Sequence, residues 1–197
     1  MKVYFATKNG GKVQTLRRDL KPFEIEVVQS DIDLIEPRSD DVGEIARSKV
    51  RQAYEQIGGP CVAVDAGFYI GSLLGFPGAF VNHALKTIKV EGILKLMDGE
   101  DRRVCVFRQC LAYMDGLTRP RYFLESVNGA LSTEGRGKKQ GYHWSDLSRI
   151  FIPDGCGKTM SEMSRDEYDE WKAERVKENP SLGMQLGKWL SEHGKFS

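Results

Sequence analysis

Histidine and cysteine are scarce in this 197-residue chain, with three of one and four of the other. The cysteines (Cys61, Cys105, Cys110, Cys156) form no C-x-x-C pair, and His83, His143 and His193 are scattered among them. Neither a zinc site nor a disulfide framework is supported by such spacing. Long apolar runs are missing too: no stretch of about 18 consecutive apolar residues is present, as an ordinary membrane-spanning helix needs. Met1-Lys2-Val3-Tyr4-Phe5 leads into Thr7-Lys8-Asn9 instead of the longer apolar segment of a secretory signal. A soluble, unsecreted, cytoplasmic protein with reduced thiols is expected. Excess charge of either sign is also lacking, since 29 Lys and Arg face 28 Asp and Glu. That balance argues against charge-driven disorder and against a basic surface for polyanions, so neither nucleic acid nor membrane is the expected partner.

What is present is a hydrophobic share of 40% and 21 glycines without a three-residue period. The length suits one domain, residues 1–197. Lys2 to Ala6 reads as a strand, Thr7 to Gly11 as a loop, and Lys12 to Leu20 as a helix with Val13, Leu16 and Leu20 on one face. Glu24 to Gln29 is a second strand, followed by the acidic loop Asp31 to Asp41. Val42 to Ile57 carries one apolar helical stripe, with Asp41 and Glu44 placed as a capping box and Gly58-Gly59 as the stop. Cys61 to Asp65 reads as a buried strand that delivers Asp65 to a loop at its end, where ligands of open α/β sheets gather. Helices are expected from His83 to Lys89 and Glu91 to Met97, an antiparallel hairpin from Arg103 to Met114 and Arg121 to Val127, and a short strand at Ile150 to Ile152. Helices from Ser164 to Glu178, with Ser164 and Glu167 as a capping box, and from Ser181 to His193 finish the chain.

Two constellations could carry chemistry. Thr7, Asn9 and Lys12 sit where a strand turns into a helix, a place where backbone N–H groups and the helix dipole favour phosphate. Gly10 and Gly11 allow close approach, yet a glycine-rich turn is also just a turn. Asp31, Asp33, Glu36, Asp40 and Asp41 crowd one loop, and Asp65 ends the central strand. Mg²⁺ takes one or two carboxylates together with substrate phosphates, so Glu36 and Asp65 meeting over a triphosphate is chemically sensible. A solvated acidic loop plus a carboxylate at a strand end remains the alternative on the residues alone.

Taken in order, the motifs resemble the inosine triphosphate pyrophosphatases, a Ham-like family that hydrolyses non-standard purine nucleoside triphosphates to monophosphate and pyrophosphate with Mg²⁺. The resemblance spans nearly the whole chain. It rests on Phe5-Ala6-Thr7-Lys8-Asn9-Gly10-Gly11-Lys12, on Ile32-Asp33-Leu34-Ile35-Glu36, and on Glu44 with Lys49. It continues through Val64-Asp65-Ala66-Gly67-Phe68, Gly75-Phe76-Pro77-Gly78-Ala79, Glu91-Gly92-Ile93, Phe151-Ile152-Pro153-Asp154-Gly155 and Ser161-Glu162-Met163. The resemblance implies an α/β fold, an elongated two-lobed single domain around a central twisted mixed sheet flanked by helices. The nucleotide would lie in the cleft between lobes, and the protein would be a homodimer. It further implies that Thr7, Asn9, Lys12 and Lys49 contact the phosphates, with Lys12 and Lys49 catalytic. Glu36 would hold Mg²⁺, and Asp65 would hold the metal or activate the attacking water. Phe76, Tyr142, His143, Trp144 and Asp146 would form the base end.

The departures fall mainly at that base end. The family's Ser-His-Arg, whose His and Arg read the purine 6-oxo group, is matched by Ser181-Leu182-Gly183, and the upstream lysine falls at Tyr168, with Lys172 or Lys177 as substitutes. The aromatic segment is altered to Tyr142-His143-Trp144-Ser145-Asp146. At the phosphate end, the acidic residue that usually precedes the catalytic aspartate is Val64. Stacking on a base tolerates such change better than edge recognition does. Three functions follow in order: the pyrophosphatase acting on ITP, dITP or XTP; the same reaction on another base; and a nucleotide-binding module with weakened catalysis.

Overall fold

The computed structural model describes residues 1–143 and 145–193. The chain forms a seven-stranded mixed β-sheet flanked by helices, with strand order β2-β1-β3-β5-β6-β7 and β4 beside β3. These strands are β1 (Lys2–Ala6), β2 (Glu26–Ser30), β3 (Cys61–Ile70), β4 (Pro77–Gly78), β5 (Val104–Met114), β6 (Arg121–Leu131) and β7 (Phe151–Pro153). The helices are α1 (Gly10–Leu20), α2 (Val42–Ile57), α3 (Val81–Thr87), α4 (Lys89–Leu96), α5 (Arg165–Glu178) and α6 (Leu182–His193). β1 pairs in parallel with β2 and β3, whereas β3–β4 and β6–β7 are antiparallel. The six residues joining β5 to its neighbour β6 are too few for a parallel crossover, so that pair is a hairpin. Among the described residues, no helix is long and apolar enough to cross a membrane.

Two compact units share the chain, and β3, β5 and β6 each run from one into the other. The first comprises Met1–Ala66, Gln109–Glu125 and Glu178–Ser197. Its core joins Val3 and Phe5 of β1 and Val62 and Val64 of β3 to Val13, Leu16 and Leu20 of α1 and Leu182, Leu186 and Leu190 of α6. Since Tyr4 stands opposite Cys61 in the register, strand alternation sends Ala63 and Asp65 to the other face of the sheet. α2 lies there, where Cys61 Sγ is 3.7 Å from the Val50 carbonyl. The two helical layers therefore have separate tasks: α1 and α6 close the apolar core, and α2 meets the face bearing Asp65.

The second unit comprises Gly67–Arg108 and Ser126–Lys177. Phe68, Phe107 and Phe151 meet in its core in tilted and edge-on pairs, with ring centroids 4.5 to 6.0 Å apart. Val90 and Ile93 of α4 and Tyr168 of α5 complete it. Arg103 knits its edge by donating to the carbonyls of Met97, Glu100, Leu131 and Ser132. The Ser164–Glu167 capping box at the start of α5 is closed in both directions, at 2.8 and 3.2 Å.

Several boundaries differ from expectation for local reasons. Gly10 and Gly11 belong to the first turn of α1, because the Asn9 cap starts the helix there. β2 begins at Glu26, since Glu24 takes a left-handed conformation after a short 3₁₀ turn. Asp41 caps α2 through the Gly43 N–H, but the Glu44 carboxylate accepts from Ser39 Oγ at 2.7 Å, so no capping box closes. α3 and α4 each start about two residues earlier than the periodicity suggested, and β6 continues to Leu131. β3 does not stop at Asp65 but runs on to Ile70. Gly67 reads as a loop signal yet serves a close strand approach: a Cβ there would meet the Gly78 carbonyl oxygen at 2.9 Å.

Gly183 has a comparable packing role. It faces α1, and a Cβ would lie 2.5 Å from Asp19 Cβ, an atom its own backbone holds in place. Alanine's helix propensity favours Gly183→Ala by about 1 kcal/mol. Overpacking should outweigh this and leave the variant about 1–2 kcal/mol less stable in urea unfolding; equal or greater stability would contradict close α1–α6 packing.

Candidate active site

The first turn of α1 is set by two short side chains. Asn9 Oδ1 accepts the Lys12 N–H at 3.1 Å, and Thr7 Oγ1 accepts the Asn9 N–H at 3.1 Å. Those bonds satisfy part of the exposed backbone while the remaining first-turn N–H groups stay available to an anion. The Lys12 side chain rises from the same turn, and among the described residues its ammonium makes no hydrogen bond or ion pair. Burial is the largest influence on it and lowers its pKa; Asp65 and Glu36 oppose that, while Lys49 adds to it. A cation in this condition is poised for negative charge.

Lys49 of α2 holds the two carboxylates together. Its Nζ lies 2.8 Å from Glu36 Oε1 and 3.3 Å from Asp65 Oδ1, with its side chain only 13% exposed. Asp65 is 8% exposed and projects from β3 onto the α2 face. Burial pushes its carboxyl above the ordinary value, Lys49 and Lys12 pull it back, and Glu36 raises it further. Glu36, on the acidic loop, keeps 60% of its side chain exposed. The structure thus brings Thr7, Asn9, Lys12, Glu36, Lys49 and Asp65 into one neighbourhood of the first unit. Two lysines balance two carboxylates there.

Sequence reasoning missed the residues that hold the acidic loop. Gln52, one turn beyond Lys49 on α2, accepts the Ile35 N–H and donates to the Ile35 carbonyl, both at 2.8 Å. Gln56, a further turn along, donates to the Asp33 carbonyl at 3.3 Å. Lys8 pairs with Asp33 at 2.7 Å, tying the same loop to the phosphate loop. The signal was present in the i, i+4 spacing of two amides on the helix that carries Lys49.

The base-end candidates belong to the second unit. Phe76 is exposed on the loop before β4. Tyr142 is half-buried, with the Arg165 guanidinium 4.6 Å from its ring centre. His143 is buried; its Nδ1 accepts the Gln140 N–H at 2.9 Å, and among the described residues its Nε2 has no hydrogen-bond partner. Its ring lies 5.4 Å from that of Tyr168, which is buried and whose hydroxyl is likewise unpartnered. Burial raises the Tyr168 pKa to about 12. Asp146 is exposed at the start of a 3₁₀ turn, and Trp144 lies outside the described residues. Ser181-Leu182-Gly183 is turned to structural work: Ser181 Oγ donates to Asp19 at 2.7 Å, Leu182 is in the core and Gly183 packs on α1.

A phosphate-ready helix start beside a lysine-bridged carboxylate pair has a counterpart among known proteins. A model of the Ham1 family matches residues 3–175. The chain belongs to the Ham1 family. This Ham1 family member is 32% identical over 195 residues to the dITP/XTP pyrophosphatase of Thermococcus kodakarensis, covering 99% of this chain and 100% of that relative. With the dITP/XTP pyrophosphatase of Methanopyrus kandleri it shares 37% identity over 167 residues, 85% of this chain and 87% of the relative. The solved Ham1 protein from Coxiella burnetii matches with a TM-score of 0.81 at 21% identity, over 98% of this chain and 99% of that one. A nucleoside-triphosphatase / dITP/XTP pyrophosphatase structure from Mycobacterium abscessus gives 0.75 at 19% identity, over 92% and 100%. At those identities the solved structures share the fold.

The raised pKa of Asp65 has a sign consequence for this Ham1 family member. A carboxylate whose folded pKa lies above its unfolded value contributes stability below the unfolded pKa, and that contribution is lost as pH rises through the folded pKa. The charged form of Asp65 is therefore a net liability to the fold. Asp65→Asn should raise the melting temperature of the ligand-free protein at pH 7 relative to wild type, with a smaller gain near pH 4. A lowered melting temperature at pH 7 would contradict the burial reading.

Proposed function

We propose that this protein is a Mg²⁺-dependent nucleoside triphosphate pyrophosphatase that cleaves between the α- and β-phosphates, releasing monophosphate and pyrophosphate. The whole chain, residues 1–197, is read as one functional domain, working in the cytoplasm as a homodimer. The observation that carries the reading is the unpaired Lys12 ammonium beside Asp65 and Glu36, at a helix start whose backbone can receive phosphate.

The residues fit a hard divalent ion. Glu36 and Asp65 present carboxylate oxygens to the same lysine, so they already converge on one positive centre. Two carboxylates, completed by phosphate oxygens and water, suit Mg²⁺. When bound, the ion would neutralise phosphate charge and polarise the phosphoryl oxygens. Lys12 and the free N–H groups of the α1 start bind the triphosphate. Lys49 exchanges its carboxylate partners for phosphate oxygens as the charge around it changes. Asp65 has the raised proton affinity of an acceptor for the attacking water's proton. Asn9 and Thr7 keep the loop in shape, and Gln52 keeps Glu36 within reach.

For the base, the names of the relatives point to dITP and XTP as the first substrates to try, and the family resemblance adds ITP. A second reading is favoured by one observation: Leu182 and Gly183 are buried in helix packing and offer no donor to a base. Losing a donor that reads a substrate group relaxes discrimination by ~10²-fold or more. We therefore read the base preference as broadened, with the Tyr142 and Phe76 faces supplying contact.

Incubation with Mg²⁺ and a panel of nucleoside and deoxynucleoside triphosphates tests both points. Monophosphate and pyrophosphate should appear in equal amounts, and Asp65→Asn should lower kcat by ~10²-fold or more. Release of single orthophosphate would overturn the cleavage position. Tight binding of nucleotides without turnover would instead identify a binding module.

A further inference from the structure

Residues 132–143 of the second unit contain no helix or strand, yet they carry Tyr142. Arg136 is tied down where its N–H donates to the Arg149 carbonyl at 2.8 Å. Further along the segment, one residue closes a turn twice: the His143 N–H donates to the Gln140 carbonyl at 3.1 Å, and His143 Nδ1 accepts the Gln140 N–H at 2.9 Å. Both backbone polar groups of Gln140 are thus bound by His143, and Tyr142 stands inside the closed turn. The Tyr142 ring lies edge-on to His143 with centroids 4.5 Å apart, is tilted against Tyr168 of α5 at 5.1 Å, and has the Arg165 guanidinium 4.6 Å from its centre.

An imidazole nitrogen that accepts a hydrogen bond carries no proton, so this turn requires a neutral His143 with its N–H on Nε2. Protonation would set a second N–H against that of Gln140 and leave a backbone donor without its acceptor. The surroundings keep the ring neutral. Burial is the largest influence and lowers its pKa from the ordinary 6.5, Lys139 of the same loop adds to that, and the Met160 backbone opposes it. The other ionisable groups packed around it are Tyr142, Arg165 above the Tyr142 ring, and Tyr168, whose pKa burial raises to about 12. Among the described residues no carboxylate pairs with the imidazole. With the folded pKa depressed, the contribution of His143 is present above the unfolded value and is lost as pH falls through the folded one.

We infer that His143 is a positioning residue: as a neutral imidazole it closes the turn that holds Tyr142 for the base, and its protonation releases that turn. This rests on the reading above that the Tyr142 face contacts the base. Steady-state kinetics with dITP and Mg²⁺, from about pH 7.5 down to about pH 5, test it on wild type, His143→Leu, His143→Asn and Tyr142→Ala. Leucine fills the space without an acceptor, whereas the Asn Oδ1 can take the place of Nδ1 and does not titrate. At about pH 7.5, His143→Leu should raise KM ~10-fold with kcat within ~3-fold of wild type, and His143→Asn should restore a low KM. The ratio of the wild-type KM to the His143→Asn KM should climb as pH falls below about 6, a comparison in which the titrations of Asp65 and of the nucleotide phosphates cancel. Inorganic triphosphate, which has no base, should bind both His143 variants as it binds wild type in calorimetry with Mg²⁺. A KM in His143→Asn as high as in His143→Leu, or a flat ratio down to about pH 5, overturns the inference. A matching loss of inorganic triphosphate binding overturns it too, because it marks a histidine that only supports the fold. An unchanged KM in Tyr142→Ala would instead overturn the base contact of Tyr142, and a wild type without turnover would overturn the pyrophosphatase reading; the positioning role falls with either.

Discussion

The contact on which the first unit's site depends is the Lys49 ammonium lodged between Glu36 and Asp65. Charged groups taken out of water are expensive unless they are paired. That rule governs the surrounding architecture. β3 must place Asp65 on the face opposite the apolar core, α2 must lie along that face, and the acidic loop must return far enough for Glu36 to reach the same lysine. Gln52 and Gln56 secure the last condition through bonds to the backbone of the loop.

Lys12 is the complement of this arrangement. Among the described residues its ammonium touches neither Glu36 nor Asp65 directly, and desolvation lowers its pKa although both carboxylates oppose that. In the function proposed above, a triphosphate would give Lys12 the direct negative partner that it lacks. Catalysis of phosphoryl displacement relies on positioning and charge stabilisation more than on covalent chemistry, and these residues supply both. The second unit holds an aromatic group of its own, formed by Tyr142, His143, Tyr168 and Trp171.

Much of the fold was legible because its elements obey local rules. β1, α2 and the capping box of α5 follow from β-rich composition, a 3.6-residue stripe and the Ser164–Glu167 spacing. Two of the errors came where glycine has two meanings. Gly10 and Gly11 resemble a loop but start a helix, and Gly67 resembles a strand end but admits β4. The phosphate-end residues were nameable from spacing and resemblance, yet the lysine bridge was not, because it depends on a register between β1 and β3 and on the alternation that follows. The role of Gly183 was out of reach for a similar reason: its packing against Asp19 joins residues 164 positions apart.

The central claim is that Lys12 is held unpaired in order to receive phosphate. Calorimetric titration of inorganic triphosphate with Mg²⁺ into wild type and Lys12→Met measures this without any contribution from the base. The account predicts binding by wild type and an affinity at least ~10-fold weaker in Lys12→Met, in keeping with the ~1.5–3 kcal/mol of a charge-assisted bond. Equal affinity for the two proteins would contradict it.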